Sequence, residues 1–384
     1  MKILHVLQSL TQRSGGPVRT VVQISYSVVA YGIECEVVGI GKIDIPDNPL
    51  SESVIHSCRS SWPESYCYSR ELRAWLRKNL SRFDGVVLHG MWLYPGLVGA
   101  QECLRAGIPY ACFPHGMLEP WAVGGQGWWK NFKKRFYWYV LEKYIFSRAQ
   151  WIVYTTKREF ELSKSVFVVP QLSTILAPFG VYSGLTLAHE PVNDLVLQAA
   201  ESAYVLFLGR IHAKKNVGFL LHAWAQARIK GGYRLVIVGP GEREYLKELK
   251  RTAARLGLND NVVFVDFVSG NEKLYLLQNA RWLVLPSQQE NFGITILEAL
   301  DNGCPVVISD QVFLADELKD EAVILPLVLQ DWVDFFRNGM KNEMSRRICI
   351  DKGRMFCMKN YEMTKIAKLW SVFFNSGFSY RRMA

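Results

Sequence analysis

Two carboxylates eight positions apart, Glu290 and Glu298, flank Gly293 in the run Glu290-Asn291-Phe292-Gly293-Ile294-Thr295-Ile296-Leu297-Glu298. An apolar stretch at 281–285 precedes this run and Pro286 closes it, so it reads as a buried parallel strand feeding a short polar loop. Gly293 allows the backbone to approach a ligand closely. A helix expected to begin near Phe292 offers free N–H groups that favour an anion. Glu298 then falls inside the helix. Such a site can hold a phosphate at the helix start while the carboxylates accept hydrogen bonds from sugar hydroxyls.

Cations stand in a comparable place upstream. In Gly209-Arg210-Ile211-His212-Ala213-Lys214-Lys215-Asn216, Arg210 follows an apolar strand and Lys215 comes at the entrance to a helix. The planar donors of Arg and the point charge of Lys can converge on a diphosphate, or the loop can simply be solvated. Gly239 and Gly241 form a Gly-x-Gly after another strand, but Glu244 stands where a dinucleotide fingerprint needs its third glycine. Ser14-Gly15-Gly16-Pro17 reads as a tight loop with exposed amides before a helix that Pro17 starts. His115, in Pro114-His115-Gly116-Met117, and His89, before Gly90, each end a strand at the edge where α/β sheets carry function. Either can equally be a satisfied structural histidine. No Asp-x-Asp pair occurs, and the eight cysteines show no metal-ligand spacing with the seven histidines.

The elements that must position these residues alternate. Strands are expected at 2–7, 34–40, 85–89, 109–113, 150–154 and 174–177, and again at 203–208, 233–238, 261–265, 281–285, 305–308 and 322–325, with amphipathic helices between. Each series predicts a doubly wound parallel sheet. The more polar stretch 181–202, with Pro191 and Asn193, separates them. The expected division is an N-terminal Rossmann-like domain at 1–185, a C-terminal one at 186–360, and a terminal helix at 361–384. A chain of 384 residues agrees with two cores. Ligands of such sheets bind beyond the carboxyl ends of the strands, which points to the cleft between two facing domains.

Composition narrows the class. Hydrophobic residues make up 49% and charged residues 21%, ordinary globular usage. No apolar run is long enough to span a bilayer, and 1–10 reads as a first strand rather than a signal peptide. Scattered thiols suggest the cytoplasm. The net charge of +10 favours an anionic partner, without the zinc-finger spacing or aromatic-basic sheet that nucleic acid would call for. Much of the charge lies at 128–139. There Trp128, Trp129, Phe132, Phe136 and Tyr139 share one helical sector, with Lys130, Lys134 and Arg135 mostly opposite. Such a helix either lies on an acidic membrane or packs its rings onto the sheet with its cations in water.

The run from Glu290 to Glu298, continued through Glu298-Ala299-Leu300 to Gly303, Pro305 and Val306-Val307, resembles the signature of glycosyltransferase family 4, and Arg210 with Lys215 resembles the second signature of that family. The resemblance implies an α/β GT-B fold of two facing Rossmann-like domains, with the terminal helix crossing back to the first. It implies retaining transfer from a nucleotide sugar without a metal. Arg210 and Lys215 would hold the departing diphosphate, and Glu290, Asn291, Phe292, Gly293 and Ile294 the sugar and its phosphate. Glu298 would hold the ribose, Phe267 and Val268 the base, and Gly15, Gly16, Gly239 and Gly241 would line the donor cleft. His115 would touch the donor sugar near its reacting carbon. A UDP-sugar, UDP-glucose first, is the expected donor. The expected acceptor is a growing, polyprenyl-linked bacterial exopolysaccharide. Asp301-Asn302 departs from the family's usual small residues. A non-hydrolysing UDP-sugar epimerase would need acid/base carboxylates around the sugar's second carbon, and the double-Glu run does not suit it. A catalytically silent membrane scaffold would not need Arg210, Lys215, Glu290 and Glu298 together.

Overall fold

A computed structural model describes residues 1–11, 16–46, 48–120, 128–166, 173–182, 187–189, 191, 193–229 and 231–378; of 128–131 and 173 it describes the backbone alone. The chain divides into two compact units, Met1–Gly180 with Met363–Ala384, and Val181–Glu362.

The first unit is built on strands β1 (Lys2–Leu7), β2 (Glu34–Ile40), β3 (Ile55–Cys58), β4 (Gly85–His89), β5 (Tyr110–Phe113), β6 (Trp151–Tyr154) and β7 (Ser173–Leu176). Their order is β3-β2-β1-β4-β5-β6-β7, with every neighbouring pair parallel. The second unit holds β8 (Tyr204–Leu208), β9 (Arg234–Val238), β10 (Val262–Val265), β11 (Trp282–Leu285), β12 (Val306–Ser309) and β13 (Val323–Leu325). These are ordered β10-β9-β8-β11-β12-β13, again all parallel. Most of these strands are continuous apolar runs because helices cover both faces of a parallel sheet. In β4, β8, β11 and β12 every residue is buried. The strand order reverses between β1 and β4 and between β8 and β11. Loops leaving those pairs diverge and open a crevice at the carboxyl edge.

Two departures from expectation have local causes. Strand β3 was not expected, since only Ile55 and Cys58 of its four residues are buried and edge strands need only alternate burial. His56 from β3 is held by Glu36 at 2.7 Å, and Lys2 and Arg82 each reach the same carboxylate at 2.6 Å. Burial alone would raise the Glu36 carboxyl; those contacts overcome it and hold the group below its usual range. Strands expected from 109, 150, 203, 233, 261, 281, 305 and 322 each begin one residue later; at Pro109 and Pro305 proline has no N–H to give the ladder.

The last helix, Met363–Phe378, packs within the first unit. Trp370 is fully buried there and donates its indole N–H to the Pro178 carbonyl at 3.0 Å. The Phe378 ring lies over the start of β4, where a Cβ on Gly85 would sit 2.4 Å from it. Gly85→Ala should therefore destabilise the first unit by about 1–3 kcal/mol through overpacking, and Phe378→Leu in the same chain should recover part of it, as read by chemical denaturation.

His5 occupies the middle of the buried strand β1, and burial pushes its imidazole down to about 3. The folded state thus refuses a proton that the unfolded chain takes up below about pH 6.5. Its stabilising contribution is complete above that pH and is lost as pH falls. Between pH 7.5 and 5.5 the loss attributable to this ring is about 1.4 kcal/mol, so the unfolding free energy of His5→Leu should vary less with pH than that of wild type by that amount.

Candidate functional site

In the second unit the loop after β8 carries the cations. A single 3-10 turn covers Ala213–Lys215, His212 Nδ1 accepts from the Lys214 N–H at 3.3 Å, and Asn216 turns left-handed at φ 59° to start the helix Val217–Ala227. The loop after the adjacent strand β11 is tied to it. The Gln288 N–H donates to the Lys214 carbonyl at 2.8 Å, and Lys214 Nζ donates to Gln289 Oε1 at 3.3 Å. Lys215 then makes an ion pair with Glu290, their side chains only 13% and 14% exposed. Burial draws the Lys215 ammonium well down, and Lys214 and Arg210 push the same way. The Glu290 carboxylate in direct contact opposes both and favours the charged form. Burial also lowers His212, as do the charges of Arg210, Lys214 and Lys215. The result is a tight cationic group beside one carboxylate at the sheet's switch point.

Glu290 is anchored by its backbone, whose carbonyl accepts from the Phe313 N–H at 3.0 Å beyond β12. The helix expected near Phe292 begins two residues later, at Ile294, because Gly293 is left-handed at φ 66° and serves as its N-cap. A Cβ on Gly293 would lie 2.8 Å from the Ile296 side chain and 3.1 Å from Glu290, so glycine is required. The Ile294 and Thr295 amides open the helix, while the Ile296 N–H is already taken by the Gly293 carbonyl at 2.7 Å. The Phe292 side chain is buried against Tyr361, with ring centroids 5.7 Å apart. Asn291 lies half-buried beside it. Glu298, one turn into the helix, pairs with Lys273 of the helix Gly270–Asn279.

The glycines after β9 have a packing reason. A Cβ on Gly239 would lie 2.1 Å from the Gly209 carbonyl, and one on Gly241 would lie 3.0 Å from Ile211. They let the loops after β8 and β9 cross closely. After β10, Phe267 is half-buried, whereas the Val268 side chain is buried in the core and does not offer its surface to a base.

In the first unit the expected residues meet at the other switch point. Gly15 lies outside the described residues, whereas Gly16 caps the helix Pro17–Ser27 with Pro17 in its first turn. His89, at the end of β4, joins His115 to His5 by two hydrogen bonds. His5 Nδ1 meets His89 Nε2 at 2.9 Å, and His89 Nδ1 meets His115 Nε2 at 2.9 Å. Burial pushes His115 down to about 3 and His89 well below its usual value, so the rings are neutral. The turn after β5 is held by buried Glu159, which accepts from the Gly116 N–H at 2.6 Å and from Thr155. His89 and His115 line a cavity of about 130 Å³ with Gln8, Ser9, Thr11 and Met117.

The aromatic helix behaves differently from its wheel. Phe132, Phe136 and Tyr139 are 60%, 63% and 69% exposed, with Lys133 and Arg135 exposed among them, so these rings do not pack onto the sheet and share their surface with cations. Trp138, on the opposite side of the helix from Phe136, is buried in the core, and a π-helical turn spans Trp138–Glu142. The side chains of Trp128, Trp129 and Lys130 lie outside those described. No described helix is long and apolar enough to cross a membrane.

Sequence reasoning did not single out Lys214, Gln289, Lys273 or Glu159. None stands in a recognisable spacing, and each acquires its role from a residue distant in the chain. His5 did carry a signal, as a polar interruption of an otherwise apolar strand.

A family model described as "Glycosyl transferases group 1" matches residues 196–355, and one described as "Glycosyl transferase 4-like domain" matches 15–178. Among curated relatives, the O-antigen chain mannosyltransferase RfbU of Salmonella typhimurium is 31% identical over 160 residues, 40% of this chain and 44% of that one. The alpha-monoglucosyldiacylglycerol synthase of Streptococcus pneumoniae is 30% identical over 129 residues, 34% of this chain and 29% of that one. The matched segment thus spans less than half of either relative's length. Among solved structures, Anabaena HepE in complex with UDP and glucose superposes with a TM-score of 0.77 at 18% identity, covering 98% of this chain and 100% of that one. With two parallel α/β sheets in the doubly wound order and both family domains matched, the chain belongs to the family 4-type glycosyltransferases and has the GT-B fold.

Proposed function

We propose that this glycosyltransferase moves a hexose, glucose first, from a UDP-sugar to a growing exopolysaccharide acceptor on a polyprenyl carrier, with retention at the anomeric carbon. The observation that carries the reading is the cationic group of Arg210, Lys214 and Lys215 set against Glu290 at the switch point of the second sheet. HepE, a neighbour in fold, was crystallised with UDP and glucose, and a relative of this chain is named for monoglucosyldiacylglycerol synthesis; both support the donor assignment.

Donor binding would exchange one set of contacts for another. Lys215 turns from the Glu290 carboxylate to the β-phosphate, and Glu290 is freed to accept hydrogen bonds from hydroxyls of the sugar. As the glycosidic bond breaks, charge grows on the diphosphate and the sugar becomes oxocarbenium-like. Arg210 and Lys215 stabilise that charge, so the leaving group can depart without a metal. The Gly293 N-cap and the opening amides of its helix face the phosphate. Glu298, released from Lys273, holds the ribose, while Phe267 and the Val268 backbone meet the base. The attacking hydroxyl approaches the face that the phosphate leaves and gives its proton to that phosphate. His115 meets a sugar hydroxyl.

The exposed rings Phe132, Phe136 and Tyr139 with Lys133 and Arg135 support a peripheral position on the acidic, cytoplasmic face of a membrane, where a lipid-linked acceptor resides.

Incubation with a panel of nucleotide sugars and a lipid-linked saccharide tests the chemistry. UDP release with transfer, undiminished by EDTA, is expected; appearance of an epimer, or no turnover and no donor binding, would refute it. Lys215→Ala should lower kcat by about 10²–10³-fold, with a smaller effect on donor affinity, because its charge matters most in the transition state. Replacing Phe132, Phe136 and Tyr139 together by Ser should weaken cosedimentation with phosphatidylglycerol vesicles by about tenfold or more while leaving phosphatidylcholine binding low throughout. Equal binding by the triple variant would remove the membrane assignment.

A further inference from the structure

His5, His89 and His115 of the first unit form a hydrogen-bonded chain whose far end, at His5, goes no further. Among the described residues, His5 Nε2 is buried and without a hydrogen-bond partner, whereas His89 uses both of its ring nitrogens. His115, half-buried, uses only Nε2 and lines the cavity. A neutral imidazole carries one N–H and one lone pair, so the direction of either hydrogen bond dictates the other. If His89 donates from Nε2 to His5, it must accept at Nδ1 from His115 Nε2–H, and His115 Nδ1 is left as a bare acceptor. Reversing the chain puts every proton on Nδ1 instead. Mixed arrangements leave two lone pairs or two protons facing each other.

Protons cannot run along this chain to reverse it through any described side chain, because none of them meets His5 Nε2 to give or take one. Burial suppresses the charged forms that would carry such a transfer. The Nε2–H form is the more stable tautomer of a neutral histidine side chain in water, and a chain with all three protons on Nε2 uses it three times. Rotation of the terminal ring is also blocked. His115 is left-handed at φ 53°, its ring stacks on Phe113 at 3.9 Å between centroids, and Phe179 lies parallel at 6.0 Å. A left-handed histidine persists only where its surroundings over-determine it.

We propose that His5 and His89 are positioning residues that lock His115 in one neutral tautomer, so that its Nδ1 accepts a hydrogen bond from a hydroxyl of a sugar bound in the cavity. This deepens the sugar-transfer reading and rests on it. His115 in this role orients a hydroxyl; it does not shuttle a proton, since its partner chain is a dead end.

Long-range ¹H–¹⁵N correlation spectra of the ¹⁵N-labelled full chain read the tautomer directly. All three rings should show a protonated Nε2 and a bare Nδ1 throughout pH 6–8. A His115 protonated on Nδ1, or exchanging between forms, would overturn the proposal. In His5→Leu the chain loses its terminal acceptor, and His115 should relax into a tautomer mixture. The KM for the sugar substrate should rise about tenfold, the equivalent of one hydrogen bond, with kcat changed less than about threefold. His5→Gln, whose amide oxygen can accept from His89, should restore both the single tautomer and the KM. An unchanged KM in folded His5→Leu would also overturn the assigned role. The spectra need no turnover, so a fixed tautomer in a protein that transfers no sugar would sink the functional reading and leave the lock standing.

Discussion

The adjacency of β8 and β11 in the second sheet is the constraint on which the proposed donor-site chemistry depends. Strands separated by more than seventy residues lie side by side because both are wholly apolar and must be buried from both faces. Their loops then leave in opposite directions, and Lys215 meets Glu290 where they part. A buried ion pair of this kind adds little net stability against an apolar pair, yet removing one partner leaves the other uncompensated. That imbalance suits a ligand site. In the proposed transfer, Lys215 would exchange its partner for a phosphate and Glu290 would exchange its own for a hydroxyl. Glu298 and Lys273 repeat the arrangement one turn along the helix.

The first unit uses the same sheet geometry with opposite electrostatics. Its switch point, between β1 and β4, gathers neutral imidazoles in place of cations. Deep burial strips them of charge, and what remains is hydrogen-bond direction, a property that orients ligands without attracting them from a distance. Glu159 supports this end by tying down the turn that carries His115 and Gly116. Several glycines of the second unit serve a similar supporting purpose. Gly239 and Gly241 allow two loops to cross, which fixes the backbone that flanks Arg210 before any ligand is considered.

The helix around Phe136 leaves large rings in water grouped with cations. Scattered apolar exposure needs no explanation, but rings on neighbouring turns amount to a patch. The helix does this while still anchoring itself, since helical spacing puts Trp138 on the opposite side from Phe136 and into the core while Tyr139 stays outward.

Much of this was legible in the chain alone. Apolar runs of strand length at regular intervals sufficed for two parallel sheets, because burial on both faces leaves a continuous signal in sequence. Gly293 and Pro286 marked the strand-to-helix junction that carries Glu290, since local backbone demands are met by local residue types. Strand β3 escaped notice because an edge strand buries only half its residues. The partners were invisible for a different reason. That Lys215 faces Glu290, that Glu298 faces Lys273, and that His5 terminates a chain reaching His115 are facts of strand order and side-chain reach. Residues far apart in sequence impose no spacing on one another; folding alone brings their charges and lone pairs within a few ångströms, and that proximity decides which of them can act.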